Sequence, residues 1–242
     1  MPVLEVSEVC VAFGGAQVLS EVSLTVAENG VTGLIGPNGA GKTTLFNVVS
    51  GLLAPKSGRV SIDGHDVTKA GPSRRARRGL ARTYQRLELF TSLTVRDNIQ
   101  VAGEIRNSWS RRGRIDVAAE TDRTIELVGL GDVADREVSE LPTGRARIVE
   151  VARALMTQPK VLLLDEPASG QTEQETEAFG RLLRQLVDER HLAICLVEHD
   201  VGLVMGTCEH IHVLDYGQVI ASGTPDQVKV DPVVVNAYLG AP

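Results

Sequence analysis

The 242-residue sequence predicts an α/β protein: parallel strands under helices, with an antiparallel opening and a helical insertion. Three observations carry this. VLLLDEP (161–167) and LAICLVEH (192–199) are unbroken apolar runs, the pattern of strands buried on both faces. A long amphipathic segment, QETEAFGRLLRQLVDER (174–190), joins them, which is strand–helix–strand order. VLEVSEVCVAF (3–13) and VLSEVSLTV (18–26) instead alternate apolar and polar residues across a Gly-Gly turn at 14–15. That is an antiparallel pair with one wet face.

The remaining elements follow in order. VTGLIG (31–36) is a short apolar strand, followed by a glycine-rich loop and the helix KTTLFNVVSGL (42–52). RVSIDG (59–64) is a short strand among Gly and Pro residues. From about 70 to 160 the pattern is mostly helical: SLTVRDNIQVAGEI, AAETDRTIELVGL, and a helix after Gly144 that Pro142 would open as its first residue. HIHVLDYGQVIASG (210–223) is a hairpin with Tyr-Gly near its turn, and a short helix follows PDQ. Two arginine clusters, RRARRG (74–79) and RRGR (111–114), read as a solvated helix face and an exposed loop.

Composition limits the function. Hydrophobic residues at 43% and charged residues at 23% are a folded protein's balance, which excludes disorder. A net charge of -6 argues against nucleic-acid binding. Cys10, Cys195 and Cys208 are odd in number and lack metal-ligand spacing, which fits a reducing compartment. Cys195, inside LAICLV, reads as a small core residue. The opening residues lack a signal-peptide pattern, and no stretch is long enough to span a bilayer. At a membrane, another chain would have to hold this one.

GPNGAGKTT (36–44) matches G-x-x-x-x-G-K-[ST] between a strand and a helix. Gly36, Asn38, Gly39, Ala40, Gly41 and Thr44 form a backbone that can wrap phosphates and aim N–H groups at them. Lys42 would neutralise the β- and γ-phosphates, and the Thr43 hydroxyl would bind Mg²⁺. Asp165, at the end of a buried strand, would hold Mg²⁺ through water. Glu166 would orient or deprotonate the attacking water. His199 ends another core strand and would reach the γ-phosphate, since ligands gather at the carboxyl ends of parallel strands. Gln85 would contact Mg²⁺ or the attacking water.

In this order, GPNGAGKTT, Gln85, LPTGRARIVEVARAL, VLLLDEP and EHD resemble the nucleotide-binding subunit of ABC transporters. RTYQRLELFTSLTVRDN, VEHDVGLVMG and VLDYGQVIASGTPDQV are similar to the branched-chain amino-acid importer subfamily. The resemblance spans the whole chain. It implies a P-loop NTPase (RecA-like) core in a single nucleotide-binding domain. Within it, 1–85 would hold the antiparallel sheet and phosphate loop, 86–158 the helical subdomain with the signature turn, and 159–242 Walker B, the His loop and the C-terminal hairpin and helix. It also implies ATP and Mg²⁺ as cofactors and a peripheral place on the cytoplasmic face of a bacterial membrane. A second ATPase subunit, membrane permeases and, indirectly, an external substrate-binding protein would be partners. Phe13 matches the aromatic residue that stacks on adenine, and the Gln85 loop would touch the membrane subunit.

The resemblance implies head-to-tail dimers in which each ATP lies between one chain's phosphate loop and the other's signature turn. That signature is usually Leu-Ser-Gly-Gly-Gln; here it reads LPTGR, so Pro142, Thr143, Gly144 and Arg145 occupy it. Pro142 has neither hydroxyl nor N–H. Gln171 and Thr172 replace a usual Leu and Asp or Asn. Residues acting on the chain's own ATP match the family, and those acting across the dimer depart from it. The pattern suggests an asymmetric heterodimer; the alternative is a tolerated variant in a homodimer. Two other readings are an ABC-type ATPase not coupled to transport and a regulatory ATP-binding module.

Overall fold

The computed structural model describes residues 2–109 and 113–239. A four-stranded antiparallel sheet, order β2-β1-β4-β5, comprises β1 (Pro2–Phe13), β2 (Ala16–Ala27), β4 (Ser57–Ile62) and β5 (His65–Asp66). The turn between β1 and β2 uses Gly14 and Gly15, both at positive φ (53° and 91°). That geometry matches the right-handed twist of a hairpin.

The second sheet has six strands in the order β10-β9-β3-β8-β7-β6. β3 (Val31–Ile35), β6 (Leu80–Arg82), β7 (Val161–Asp165), β8 (Ala193–Val197) and β9 (His210–Asp215) run parallel, and β10 (Gln218–Gly223) is antiparallel to β9. Every residue of β3, β7 and β8 is buried. Their side chains divide by alternation between two cores. Leu162, Leu164, Ile194 and Leu196 face the core shared with α3 (Val95–Trp109), α4 (Val117–Leu127), α5 (Thr143–Leu155) and α6 (Glu173–Arg190). Val161, Leu163, Cys195 and Val197 face the core shared with α1 (Lys42–Ser50) and the antiparallel sheet. Burying both faces accounts for the unbroken apolar runs. Cys195 lies in the second core, and burial pushes its thiol pKa up to about 12.

Several expectations are corrected. α5 begins at Thr143, so Pro142 is the N-cap residue rather than the first helical one, with extended backbone (φ −56°, ψ 149°). The region from 70 to 160 also holds β6 and two 3-10 turns, at Gly131–Val133 and Val138–Glu140. The C-terminal helix α8 (Pro225–Val230) starts before the expected point, capped by Thr224, and is followed by α9 (Pro232–Leu239). The expected terminal hairpin is present as β9 and β10, and β9 pairs with β3 inside the core sheet. The helix expected at RRARRG is α2 (Pro72–Ala76), and a second short helix, α7 (Val201–Thr207), had no periodicity to reveal it.

Arg75 of RRARRG is not on a solvated face: it is 1% exposed and donates to the carbonyls of Val48, Val49, Thr68 and Ala70. It thereby satisfies the last turn of α1, where a cation also meets the helix dipole favourably. Of the second cluster, Arg111 and Arg112 lie outside the described residues. No described helix is long and apolar enough to cross a membrane.

Candidate active site

β3, β6, β7 and β8 end at one edge of the sheet, and the expected chemistry is attached to those ends. Gly36 follows β3. An added Cβ there would lie 1.9 Å from the Leu214 carbonyl oxygen, so only glycine fits. The loop then passes through Asn38 and Gly39, both exposed, and Ala40, which is buried. Gly41 (φ 108°) is the N-cap of α1 and gives no side-chain cap. The first N–H groups of α1 therefore stay available to an anion. Thr43 is exposed at this helix start, and Thr44 follows it half-buried. The hairpin turn supports the loop from behind: Gly217 N–H donates to Ala40 O at 2.9 Å.

Lys42 is buried. Its Nζ donates to Gly36 O at 2.7 Å and Pro37 O at 3.0 Å. Burial lowers its pKa, and the charges of Glu166 and Asp165 oppose that shift. Those carboxylates help keep the ammonium charged, and a buried cation at a helix start suits a ligand of high negative charge.

Gln85, Glu166 and His199 arrive from three different loops and meet. Gln85 Nε2 donates to Glu166 Oε2 at 2.8 Å, and His199 Nε2 lies 2.7 Å from Glu166 Oε1. Glu166 has left-handed backbone (φ 49°), uncommon for a non-glycine residue. Its N–H bonds Val197 O at 2.8 Å, which fixes this kink against the end of β8.

Asp165 is 3% exposed. Its Oδ2 accepts from Arg82 Nη2 at 2.9 Å, whereas Oδ1 is buried with no partner. An orphaned carboxylate oxygen is costly unless something completes it. That oxygen and the Thr43 hydroxyl are hard donors of the type Mg²⁺ takes, so the residues present fit this metal.

Phe13 closes β1 and is 52% exposed, with its ring free to receive a planar ligand. Among the described residues no hydrogen bond joins the turn at Pro142–Arg145 to the phosphate loop. Gly144 packs instead near Gln171 and Glu175: a Cβ on it would lie 3.0 Å from Glu175 Oε1 and 3.6 Å from Gln171 Cγ. Pro142 offers no side-chain cap, so the first-turn N–H groups of Thr143, Gly144 and Arg145 lack one. The Arg145 side chain is tied to Asp132 at 2.6 Å. Thr172 has a plain structural role: with Glu175 it forms the capping box of α6.

Two residues of this site were not singled out in the sequence. Arg82 sits three positions before Gln85, at the end of a three-residue strand too short to show a period. Glu198 is 4% exposed and accepts from Ala168 N–H (2.6 Å) and His199 N–H (3.0 Å). Burial raises its pKa, against the pull of these N–H groups and that of Asp200. Its only signal in the sequence is an acid next to His199 at a strand end.

A family model described as ABC transporter matches residues 19–169. A second, described as branched-chain amino acid ATP-binding cassette transporter, matches residues 218–242. The chain is 37% identical to the high-affinity branched-chain amino acid transport ATP-binding protein BraF of Pseudomonas aeruginosa, covering 99% of this chain and 98% of that protein. It is 36% identical, with the same coverage, to the lipopolysaccharide export system ATP-binding protein LptB of Haemophilus influenzae. A solved nucleotide-free ATP-binding cassette from an ABC transporter superposes with a TM-score of 0.88 at 30% identity, covering all of both chains. The chain therefore belongs to the ATP-binding cassette family of ABC transporters and is an ATPase.

Proposed function

We propose that this chain is the ATP-hydrolysing subunit of a bacterial importer for branched-chain or other hydrophobic amino acids. It would sit on the cytoplasmic face against membrane permeases, with an external binding protein delivering the substrate. One observation carries the catalytic part: both oxygens of Glu166 are held, by Gln85 and by His199, beside the phosphate loop. In this reading Phe13 stacks on adenine, and Lys42 with the N–H groups of residues 38–44 binds the β- and γ-phosphates. Thr43, Asp165 and Gln85 would hold Mg²⁺, which would neutralise charge on those phosphates. Glu166 aligns a water in line with the γ-phosphorus and accepts its proton, while His199 donates to the γ-phosphate.

The match at 218–242 favours amino-acid transport over lipopolysaccharide export, because whole-chain identity is similar for both groups. A cleft of about 320 Å³ behind the Gln85 loop supports permease docking. Its lining includes Thr83, Tyr84, Glu88, Ile105 and Arg153, so a permease segment seated there would touch the loop that holds Glu166.

The dimer in this reading is asymmetric. The chain's own ATP is completed by a partner's intact signature, and the partner's ATP faces LPTGR. Loss of one hydrogen bond to a transferring phosphate slows a site by on the order of 10²-fold. The test is light scattering of Glu166→Gln with Mg-ATP. A monomer that binds ATP is expected, and Pro142→Ser in the same background should dimerise. A dimer of Glu166→Gln alone would mean that LPTGR grips phosphate, and the homodimer would replace the heterodimer.

A further inference from the structure

Arg82 has no part in the reaction just described, yet both of its terminal guanidinium nitrogens are engaged. Its Nη2 donates to Asp165 Oδ2 at 2.9 Å; its Nη1 donates to Asn47 Oδ1 at 2.8 Å and Ser50 Oγ at 3.0 Å, both on α1. The guanidinium carbon lies 5.5 Å from the Phe46 ring centroid and 4.9 Å from that of Tyr84. The side chains of Arg82 and Asp165 are 5% and 3% exposed. The guanidinium thus fixes the strand-end carboxylate against the helix that follows the phosphate loop.

Geometry and charge follow from this clamp. With Oδ2 engaged, only the unpartnered Oδ1 is left to face a metal. A lone buried carboxylate would also repel a triphosphate that arrived without its metal, whereas the guanidinium cancels that charge. We propose that Arg82 is a positioning residue that presents Asp165 through Oδ1 alone and lets the site accept ATP ahead of its metal. This rests on the nucleotide-site reading of Lys42 and Asp165.

The test is equilibrium binding of a fluorescent ATP analogue to the full chain, with Mg²⁺ and with EDTA. Melting temperature is recorded for each variant. Arg82→Met should lose about tenfold more affinity for metal-free than for Mg-bound nucleotide. Arg82→Lys keeps the charge and should leave that ratio near wild type. A role confined to tying α1 to β7 would lower both affinities alike, and an unmoved ratio in Arg82→Met overturns the proposal. If Arg82→Met does not fold, the Arg82→Met/Asp165→Asn pair leaves no lone buried charge. Compared with Asp165→Asn alone, it should keep the same ratio, and a selective loss of metal-free nucleotide in the pair would overturn the proposal, because the guanidinium would then act on the triphosphate directly. Lys42→Ala should abolish binding of both forms. A wild-type chain that binds neither form would overturn the nucleotide-site reading itself, which is a different failure from an unmoved ratio.

Discussion

His199 Nε2 lies 2.7 Å from Glu166 Oε1, across a gap of 33 residues in sequence, while Gln85 holds the other oxygen of Glu166. The carboxylate is thus oriented from two sides and seated on left-handed backbone. Groups that act as a unit are non-additive when removed. His199→Ala and Glu166→Gln should each lower kcat by about 10²-fold or more, and the double variant should be little worse than the weaker single one. Phosphate release by the assembled transporter measures this, with ATP affinity expected to stay within about threefold of wild type.

Phe13 makes a different prediction because it is far from bond breaking. Stacking contributes about 1 kcal/mol to binding both the ground and transition states. Phe13→Ala should therefore raise KM for ATP by roughly five- to tenfold with kcat nearly unchanged. An equal loss in kcat with constant KM would contradict adenine stacking.

Arg75 tests stability apart from function. Its guanidinium serves four carbonyl oxygens from a buried position. Arg75→Met strands those acceptors and should cost about 3 kcal/mol in urea unfolding. Arg75→Lys should recover little, since one ammonium cannot span four diverging acceptors.

His212 gives the pH dependence. It is 5% exposed, bonded to Thr25 O (3.0 Å) and Ser222 Oγ (2.9 Å), with His210 beside it. Burial lowers its pKa below the ordinary 6.5, and His210 adds to the shift. The unfolded chain then binds the proton more readily, so stability is full above about pH 6.5 and falls as pH drops below it. The melting temperature should fall more between pH 7.5 and 5.5 in wild type than in His212→Asn. Equal slopes would remove His212 as the cause.

The buried strands, the hairpin at Gly14–Gly15 and the phosphate loop were legible because each depends on adjacent residues. Alternation, an apolar run and glycine at positive φ are local requirements, whereas the crowding at Gly36 comes from the distant Leu214. The position of Pro142 was misjudged by one residue because a proline fixes φ at either the N-cap or the first helical position. Arg75 was misread because a charge cluster shows no burial. Its partners lie up to 27 residues away, and nothing in RRARRG names them.

By itself the sequence determined the α/β class, the loop that can wrap phosphates and the residue types at each strand end. These follow from backbone geometry and side-chain period over a few residues. Only the tertiary structure decided that Gln85 and Glu166 meet across 81 residues, that Arg82 and Asp165 pair across 83, and that the hairpin turn supports Ala40. Those contacts depend on the strand order β3-β8-β7-β6, which brings four strand ends to one edge. Strand order is a property of packing, set by which apolar faces bury each other, and no short stretch of the chain contains it.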